Sequence, residues 1–195
     1  MFEKTDLAGM RIAILATNGF EEPELVEPRR ALKQAGAQTQ IISIEKKPIY
    51  GMHHHDKSSF VDVDLSLKEA DAADFDAVLL PGGALNADAL RVEQMAQKFV
   101  TDINNAKKPV AFICHAPWLL ISAKLVHLRK LTSYHTIKDD IINAGGQWED
   151  LEVLVDNNWV SSRKPDDIPA FNREMLKLFG DYMRGKRDTM RREVA

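Results

Sequence analysis

Short runs of aliphatic and β-branched residues alternate with longer stretches of helical hydrophobic periodicity along almost the whole chain. Arg11–Ala16 (RIAILA) predicts a first strand. The stretch from about Pro23 to Ala35 predicts a helix closed by Gly36, which suits the left-handed position after a helix end. Pro28 lies inside that stretch and predicts a kink or a restart, because proline removes a helix donor and crowds the preceding turn. Thr39–Ile44 reads as a second strand, residues 45–65 as an irregular hairpin or excursion, and Ala77–Leu80 as a strand ending at Pro81-Gly82-Gly83. Val92, Met95, Ala96, Phe99, Val100 and Ile103 recur at helical spacing and predict one apolar helix face. Val110–Ile113 predicts a buried strand that runs directly into Cys114 and the helix start Pro117-Trp118-Leu119-Leu120. A short strand near Leu131–Ser133 follows, then a helix across Ile137–Ala144 and a strand pair at Leu151–Val155 and Trp159–Ser162. The last predicted helix carries Phe171, Met175, Leu178, Phe179 and Tyr182.

This alternation predicts βαβ units around a mostly parallel sheet in an α/β fold. With 195 residues the chain is long enough for one substantial core and short for two. A single domain over residues 1–185 is expected, followed by a basic C-terminal tail, 186–195. Lys186, Arg187, Arg191 and Arg192 in that tail read as a solvated, frayed terminus rather than a binding patch.

Composition narrows the functional classes. A formal charge of −3, with 28% charged residues, gives no electrostatic case for nucleic acid or an anionic membrane. No apolar run reaches the length of a membrane span, and no secretory signal opens the sequence. One cysteine cannot form an internal disulfide, so the fold needs no oxidising compartment and a cytoplasmic location is expected.

In doubly wound sheets, ligands gather outside the carboxyl ends of the strands. Three segments leave such ends with unusual residues: Asn18–Glu24, Pro81–Leu90 and Cys114–Pro117. A strand passing at once into a helix makes a sharp elbow, which would project Cys114 into solvent beside a helix start that favours thiolate. The alternative for Cys114 is a small buried hydrophobe. Glu21 and Glu24 share a face if their turn is helical. One of them could accept the thiol proton or hydrogen-bond the sulfur, or both could simply stabilise a helix N-terminus. Gly82 and Gly83 lack Cβ atoms, so the Gly83 and His115 amides form a candidate oxyanion pair, with a plain tight turn as the alternative. His53-His54-His55-Asp56 suggests a metal, but neighbouring side chains of an extended segment point to opposite faces. Solvated loop histidines and no metal site are the expectation. His127 has no partner spacing, and His135 follows Tyr134 close to a strand end.

Several segments together resemble the PfpI-type intracellular protease family of the ThiJ/PfpI superfamily, which also holds protein deglycases. They are GFEEPEL at Gly19–Leu25, LLPGG at Leu79–Gly83 and AFICHAPWLLISA at Ala111–Ala123. LTSYHTIKDDIINAGGQW at Leu131–Trp148 and VSSRKPDDIPAFNRE at Val160–Glu174 complete the set. The resemblance implies a class I glutamine amidotransferase-like architecture, a flavodoxin-like three-layer sandwich with helices on both faces of the sheet. It implies that Cys114 is the nucleophile and His115 its histidine. Glu24 would hydrogen-bond the sulfur, with Glu21 beside it and Tyr134 near the active site. Asp88 best matches an acidic residue that orients the histidine from a neighbouring subunit, although the loop from Gly83 to Asp88 is one residue longer here. Ala116 stands where the family usually has glycine, and its methyl would narrow the substrate pocket or be disfavoured at positive φ.

The function implied is a cysteine-dependent hydrolase or lyase acting in stress response. Its candidate substrates are peptides, glycated amines and small carbonyl compounds such as α-oxoaldehydes; it needs no cofactor and works as a homodimer or homohexamer. A redox-sensing or binding stress protein with an oxidisable cysteine is the alternative, and a metal-binding module at His53–His55 a third.

Overall fold

The computed structural model describes the backbone of residues 5–193 and side chains within residues 5–189. The first strand, β1 (Arg11–Leu15), alternates between two layers: Ile12 and Ile14 pack into one apolar cluster, Ala13 and Leu15 into the other. A short β2 (Phe20–Glu21) leads into α1 (Glu22–Gln34), then β3 (Gln38–Ser43). The helix runs through Pro28 without the expected restart. Pro28 is buried with Leu25 and Leu32, so packing holds the turn that lacks its donor.

The excursion is an antiparallel hairpin of β4 (Ile49–His53) and β5 (Asp56–Val61), followed by β6 (Leu65–Ser66) and β7 (Ala77–Leu80). Where a loop was expected through Leu90, the chain forms α2 (Ala84–Arg91). A separate α3 (Gln94–Asn105) begins after it, and Val92 lies at their junction, exposed, with Met95 about a third exposed. The buried face of α3 is therefore Ala96, Phe99, Val100 and Ile103. Next come β8 (Val110–Ile113), α4 (Pro117–Ser122), β9 (Lys130–Leu131), α5 (Lys138–Asn143) and β10 (Gln147–Trp148). The chain then forms β11 (Val153–Asp156), β12 (Trp159–Ser162) and α6 (Ile168–Glu193).

The main sheet has the order β11-β12-β8-β7-β1-β3-β6, parallel except for the edge strand β11. Its five central strands follow the flavodoxin-like order, with the crossover reversing between β1 and β7. One face is covered by α1 and α6 through Leu25, Leu32, Phe171, Met175 and Phe179. Helices α3, α4 and α5 cover the other through Phe99, Leu119, Leu120 and Ile141. This is a three-layer, doubly wound α/β sandwich.

Helix α6 does not fray at residue 186. Lys186 Nζ lies 2.6 Å from Asp76, just before β7, and Arg187 donates to the Ala8 carbonyl at 2.9 Å. The backbone of the basic segment is thus helical through residue 193, and Lys186 and Arg187 are docked because acidic and carbonyl acceptors near the amino ends of β1 and β7 face them. The side chains of Arg191 and Arg192, and residues 194–195, lie outside the described residues. Among the described residues no helix is long and apolar enough to cross a membrane.

Candidate active site

The carboxyl ends of β1, β7 and β8 are adjacent in the sheet, so the three segments that follow them converge at the point where the strand order reverses. Cys114 is the first residue after β8, and its φ of +62° makes the elbow. A β-carbon is unfavourable there by roughly 1–2 kcal/mol, so the surroundings must hold the turn. They do so from two sides: the Cys114 N–H donates to Ser162 O on β12 at 3.1 Å, and the Tyr134 N–H donates to Cys114 O at 3.0 Å.

The elbow does not project the thiol into solvent. Cys114 is only 7% exposed, at the floor of a cavity of about 910 Å³. Burial pushes its thiol well above the ordinary range, and the adjacent Glu24 carboxylate pushes the same way. The Gly83 and His115 backbone N–H groups, both directed at the sulfur, pull it down but do not win. The expected preformed thiolate is therefore corrected: α4 has six residues, and desolvation outweighs anything its first turn offers.

His115 sits against the sulfur, its Nδ1 3.1 Å from Cys114 Sγ and its Nε2 3.3 Å from Thr136 Oγ1. The imidazole packs at a tilt against the rings of Trp118 (centroids 5.3 Å apart) and Tyr134 (4.9 Å). Burial, with His135 nearby, lowers its pKa below the usual imidazole value. A neutral ring at neutral pH can accept the thiol proton.

Glu24 is fully buried in α1 and its pKa is raised to about 8, first by burial. At neutral pH it is a carboxylic acid, so it serves as a hydrogen-bond partner of the sulfur and not as the base for its proton. Its Oε2 accepts the Gly82 N–H at 2.9 Å, while Oε1 is buried with no oxygen or nitrogen partner. Gly82 is obligatory for this packing. A Cβ there would come within 2.5 Å of Glu24 Oε2 and 2.6 Å of Cys114 Cβ. Gly83, at φ +90°, has no room either, because the backbone of Gly19, Phe20 and Glu21 fills the space. Glu21 lines the same cavity and accepts the His54 N–H at 3.3 Å, which ties the tip of the β4–β5 hairpin to the site.

The glycine turn is pinned by Asn86, a residue that sequence reasoning missed. Fully buried in α2, it donates to Pro81 O and Gly82 O, both at 3.0 Å, and accepts the Thr17 N–H at 2.7 Å. Asn86→Leu leaves the Thr17 N–H and Pro81 O unpaired, while Gly82 O keeps the Glu21 N–H at 3.3 Å. It is expected to destabilise the fold by about 2–3 kcal/mol, read as a lower denaturant midpoint at unchanged slope.

Other expected residues fall differently. Ala116 has φ −53°, so no glycine is required, and it is buried in the cluster under α4, away from the cavity wall. It is not a substrate-pocket residue; the helix starts at this position, and the methyl points into the core. Asp88 is exposed on α2 and does not line the cavity of its own chain. His53, His54 and His55 are exposed at the hairpin tip but do line the cavity, as does Lys164, which sequence reasoning also missed. Among the described residues no group of three or more His, Cys, Asp or Glu side chains is placed to hold a metal ion.

A buried cysteine on a strained elbow after the fourth central strand, with an adjacent histidine and a protonated glutamate, defines a nucleophile-elbow protein of the doubly wound class. A profile of the DJ-1/PfpI family matches residues 10–178, and the chain belongs to that family. It is 45% identical over 169 residues to the Deglycase PfpI of Pyrococcus furiosus, across 87% of this chain and 99% of that protein. To Protein/nucleic acid deglycase 2 of Escherichia coli it is 43% identical over 171 residues, across 87% and 98%. A solved two-domain protein from Anabaena variabilis, containing DJ-1/ThiJ/PfpI-like and ferritin-like domains, matches with a TM-score of 0.83 at 31% identity. That match covers 88% of this chain and 48% of the other, so the chain spans about half of it.

Proposed function

We propose that this chain is a cysteine-dependent hydrolase or lyase of the PfpI type that acts on carbonyl compounds, with glycated amines as the substrate class and peptides and free α-oxoaldehydes as the runners-up. The observation that carries this reading is the Cys114 Sγ to His115 Nδ1 approach of 3.1 Å at the floor of an open cavity. The deglycase names of relatives above 40% identity support the choice among substrates.

In the reaction envisaged, Cys114 Sγ attacks the carbonyl carbon as its proton passes to His115 Nδ1. The carbonyl electrons move to oxygen, and the Gly83 and His115 N–H groups, which face the sulfur, are the donors we assign to that charge. Glu24, protonated, adds no negative charge beside the developing anion. In a peptide the carbonyl carbon itself carries the nitrogen, so the C–N bond breaks there, His115 gives its proton to the amine, and water hydrolyses the thioester to an acid and the free thiol. In a glycated amine the nitrogen and a hydroxyl sit on the neighbouring carbon, so Sγ bonds to that carbon as its C–N bond breaks and the amine takes the His115 proton. Transfer of the hydrogen left on that carbon to the ketone carbon then gives a thioester, which water hydrolyses to a hydroxy acid and the free thiol. Asp88, exposed in the single chain, would act on a neighbouring copy in a homodimer or homohexamer.

Wild type and Cys114→Ala should be assayed side by side with a methylglyoxal-glycated amino acid, free methylglyoxal and an unstructured peptide. Turnover of the glycated amine by wild type alone supports the proposal. Equal turnover by both proteins on every substrate would sink it.

A further inference from the structure

We infer that Leu85 is the specificity-determining residue of the cavity: with Met52 and Pro23 it forms an apolar subsite for the substituent on the substrate's carbonyl carbon. The inference rests on the cysteine chemistry proposed above. It narrows the substrates to adducts of α-oxoaldehydes that carry an alkyl or aryl group.

Leu85 is the second residue of α2 and is 59% exposed, while Asn86, Ala87 and Leu90 form the face of that helix turned to the core. Core packing therefore does not require an apolar residue at this position. Leu85 instead lines the cavity that holds Cys114. It follows Gly83, whose N–H is directed at the sulfur, by two residues, so the two α-carbons lie within about 7.6 Å of one another. The side chain is seated at its base. Its Cβ packs on the backbone of Gly19, where a β-carbon would come within 2.6 Å of it. The Gly19 N–H donates to Tyr50 O on β4 at 2.9 Å, and Met52, two residues further along that strand, lines the same cavity. Pro23, at the start of α1, lines it as well.

Ligand sites combine a mostly apolar wall with a few polar groups that fix orientation. The charged side chains of this cavity already have partners: Glu21 accepts the His54 N–H at 3.3 Å, and Lys164 Nζ lies 3.0 Å from Asp166. Leu85 is the large apolar surface left open beside the Gly83 donor.

The proposed reaction brings a particular part of the substrate there. In a glycated amine Sγ bonds to the carbon that loses the amine, and the neighbouring carbonyl carbon carries the oxygen assigned to the Gly83 and His115 N–H groups. That carbonyl carbon has one further substituent: hydrogen in a glyoxal adduct, methyl in a methylglyoxal adduct, phenyl in a phenylglyoxal adduct. Holding the oxygen at Gly83 presents this substituent to the residues that follow Gly83, Ala84 and Leu85. Covering apolar surface is favourable in proportion to the area removed from water. Phenyl covers most of Leu85, methyl less and hydrogen none, which sets the order of preference.

The test uses two reagents that need no turnover. In chloroacetone and phenacyl chloride the CH2 group stands in for the carbon that loses the amine. Sγ bonds to it, chloride leaves with the bonding electron pair, and the thiol proton passes to His115 and then to water. Each rate with Cys114 is divided by the rate of the same reagent with N-acetylcysteine, which cancels intrinsic reactivity. Phenacyl chloride should then be favoured about tenfold in the wild type, the scale for covering a ring-sized apolar group. Leu85→Asn, close in volume but polar, should cut that preference about fivefold, and Leu85→Met should keep it within about twofold. No wild-type preference, or an undiminished preference in Leu85→Asn, would overturn the inference. So would equal slowing of both reagents in Leu85→Asn with a change in sedimentation, which would mean that a neighbouring copy covers Leu85. With glycated amines, Leu85→Asn should raise KM for the phenylglyoxal adduct more than for the methylglyoxal adduct and change kcat less. If wild type turns over neither adduct, the proposed function fails, while the alkylation ratios still decide what Leu85 binds.

Discussion

Cys114→Ala is expected to lower kcat/KM by about 10³- to 10⁴-fold on whichever carbonyl substrate the wild type processes, while leaving the fold nearly as stable. The activity loss follows from the site. Both backbone N–H groups, the His115 acceptor and the protonated Glu24 converge on one sulfur, and no second cysteine can replace it. The stability argument is separate. Alanine keeps the β-carbon, and with it the strain at φ +62°, so the variant removes one buried sulfur and little else. A loss of about 1 kcal/mol is the scale for such a small buried group. Kinetics together with a thermal melt check the prediction; retention of a tenth of the activity would refute it. Cys114→Gly extends the comparison, because it should show the same inactivity while relieving the positive φ. The site thus holds a residue in a conformation that the fold would be more comfortable giving to glycine.

Much of the scaffold was legible because strands of a doubly wound sheet are short, apolar on both faces and bounded by turn residues. Ala77–Leu80 and Val110–Ile113 form where their composition places them, and the jump from strand to Pro117 announces the elbow. Helix α2 was hidden because it has only eight residues and one of its two leucines, Leu85, is exposed. Val92 continued the spacing of α3 backwards across a real break, and period alone does not show where one helix stops and another starts. The cysteine at the elbow was legible; the burial of its thiol was not. Exposure at an elbow was inferred from local geometry. Desolvation of the thiol depends on Glu24 packing over Gly82, a contact between segments 58 residues apart. Asn86 and Thr136 escaped notice for the same reason: their partners Thr17 and His115 lie 69 and 21 residues away. Lone asparagines and threonines carry no pattern.

Glu24→Gln is expected to stabilise the protein at alkaline pH and to have little effect in acid. The wild-type carboxyl titrates near 8 in the fold, against 4.5 as the reference value. The folded state therefore binds more protons than the unfolded state between those values. Stability associated with Glu24 is fully present below about pH 4.5 and is lost as the pH rises through 8. With about 1.4 kcal/mol for each pH unit, the loss is on the order of 5 kcal/mol by pH 9. Glutamine keeps an oxygen for the Gly82 N–H and carries no charge, so it removes this loss. The difference in unfolding free energy, variant minus wild type, should rise across pH 5–9 and level off above; a flat difference would show that Glu24 ionises normally. The same substitution bears on the chemistry, because Glu24 acts on Cys114 in the direction of a higher thiol pKa. Glu24→Gln should therefore speed alkylation of Cys114 at pH 9, where the wild-type carboxylate opposes a second negative charge. Wild-type kcat/KM should decline above pH 8 as that carboxylate forms, and the decline should be absent from the variant. A carboxyl kept neutral by burial thus sets the alkaline limit of both fold and site, and one substitution reads both.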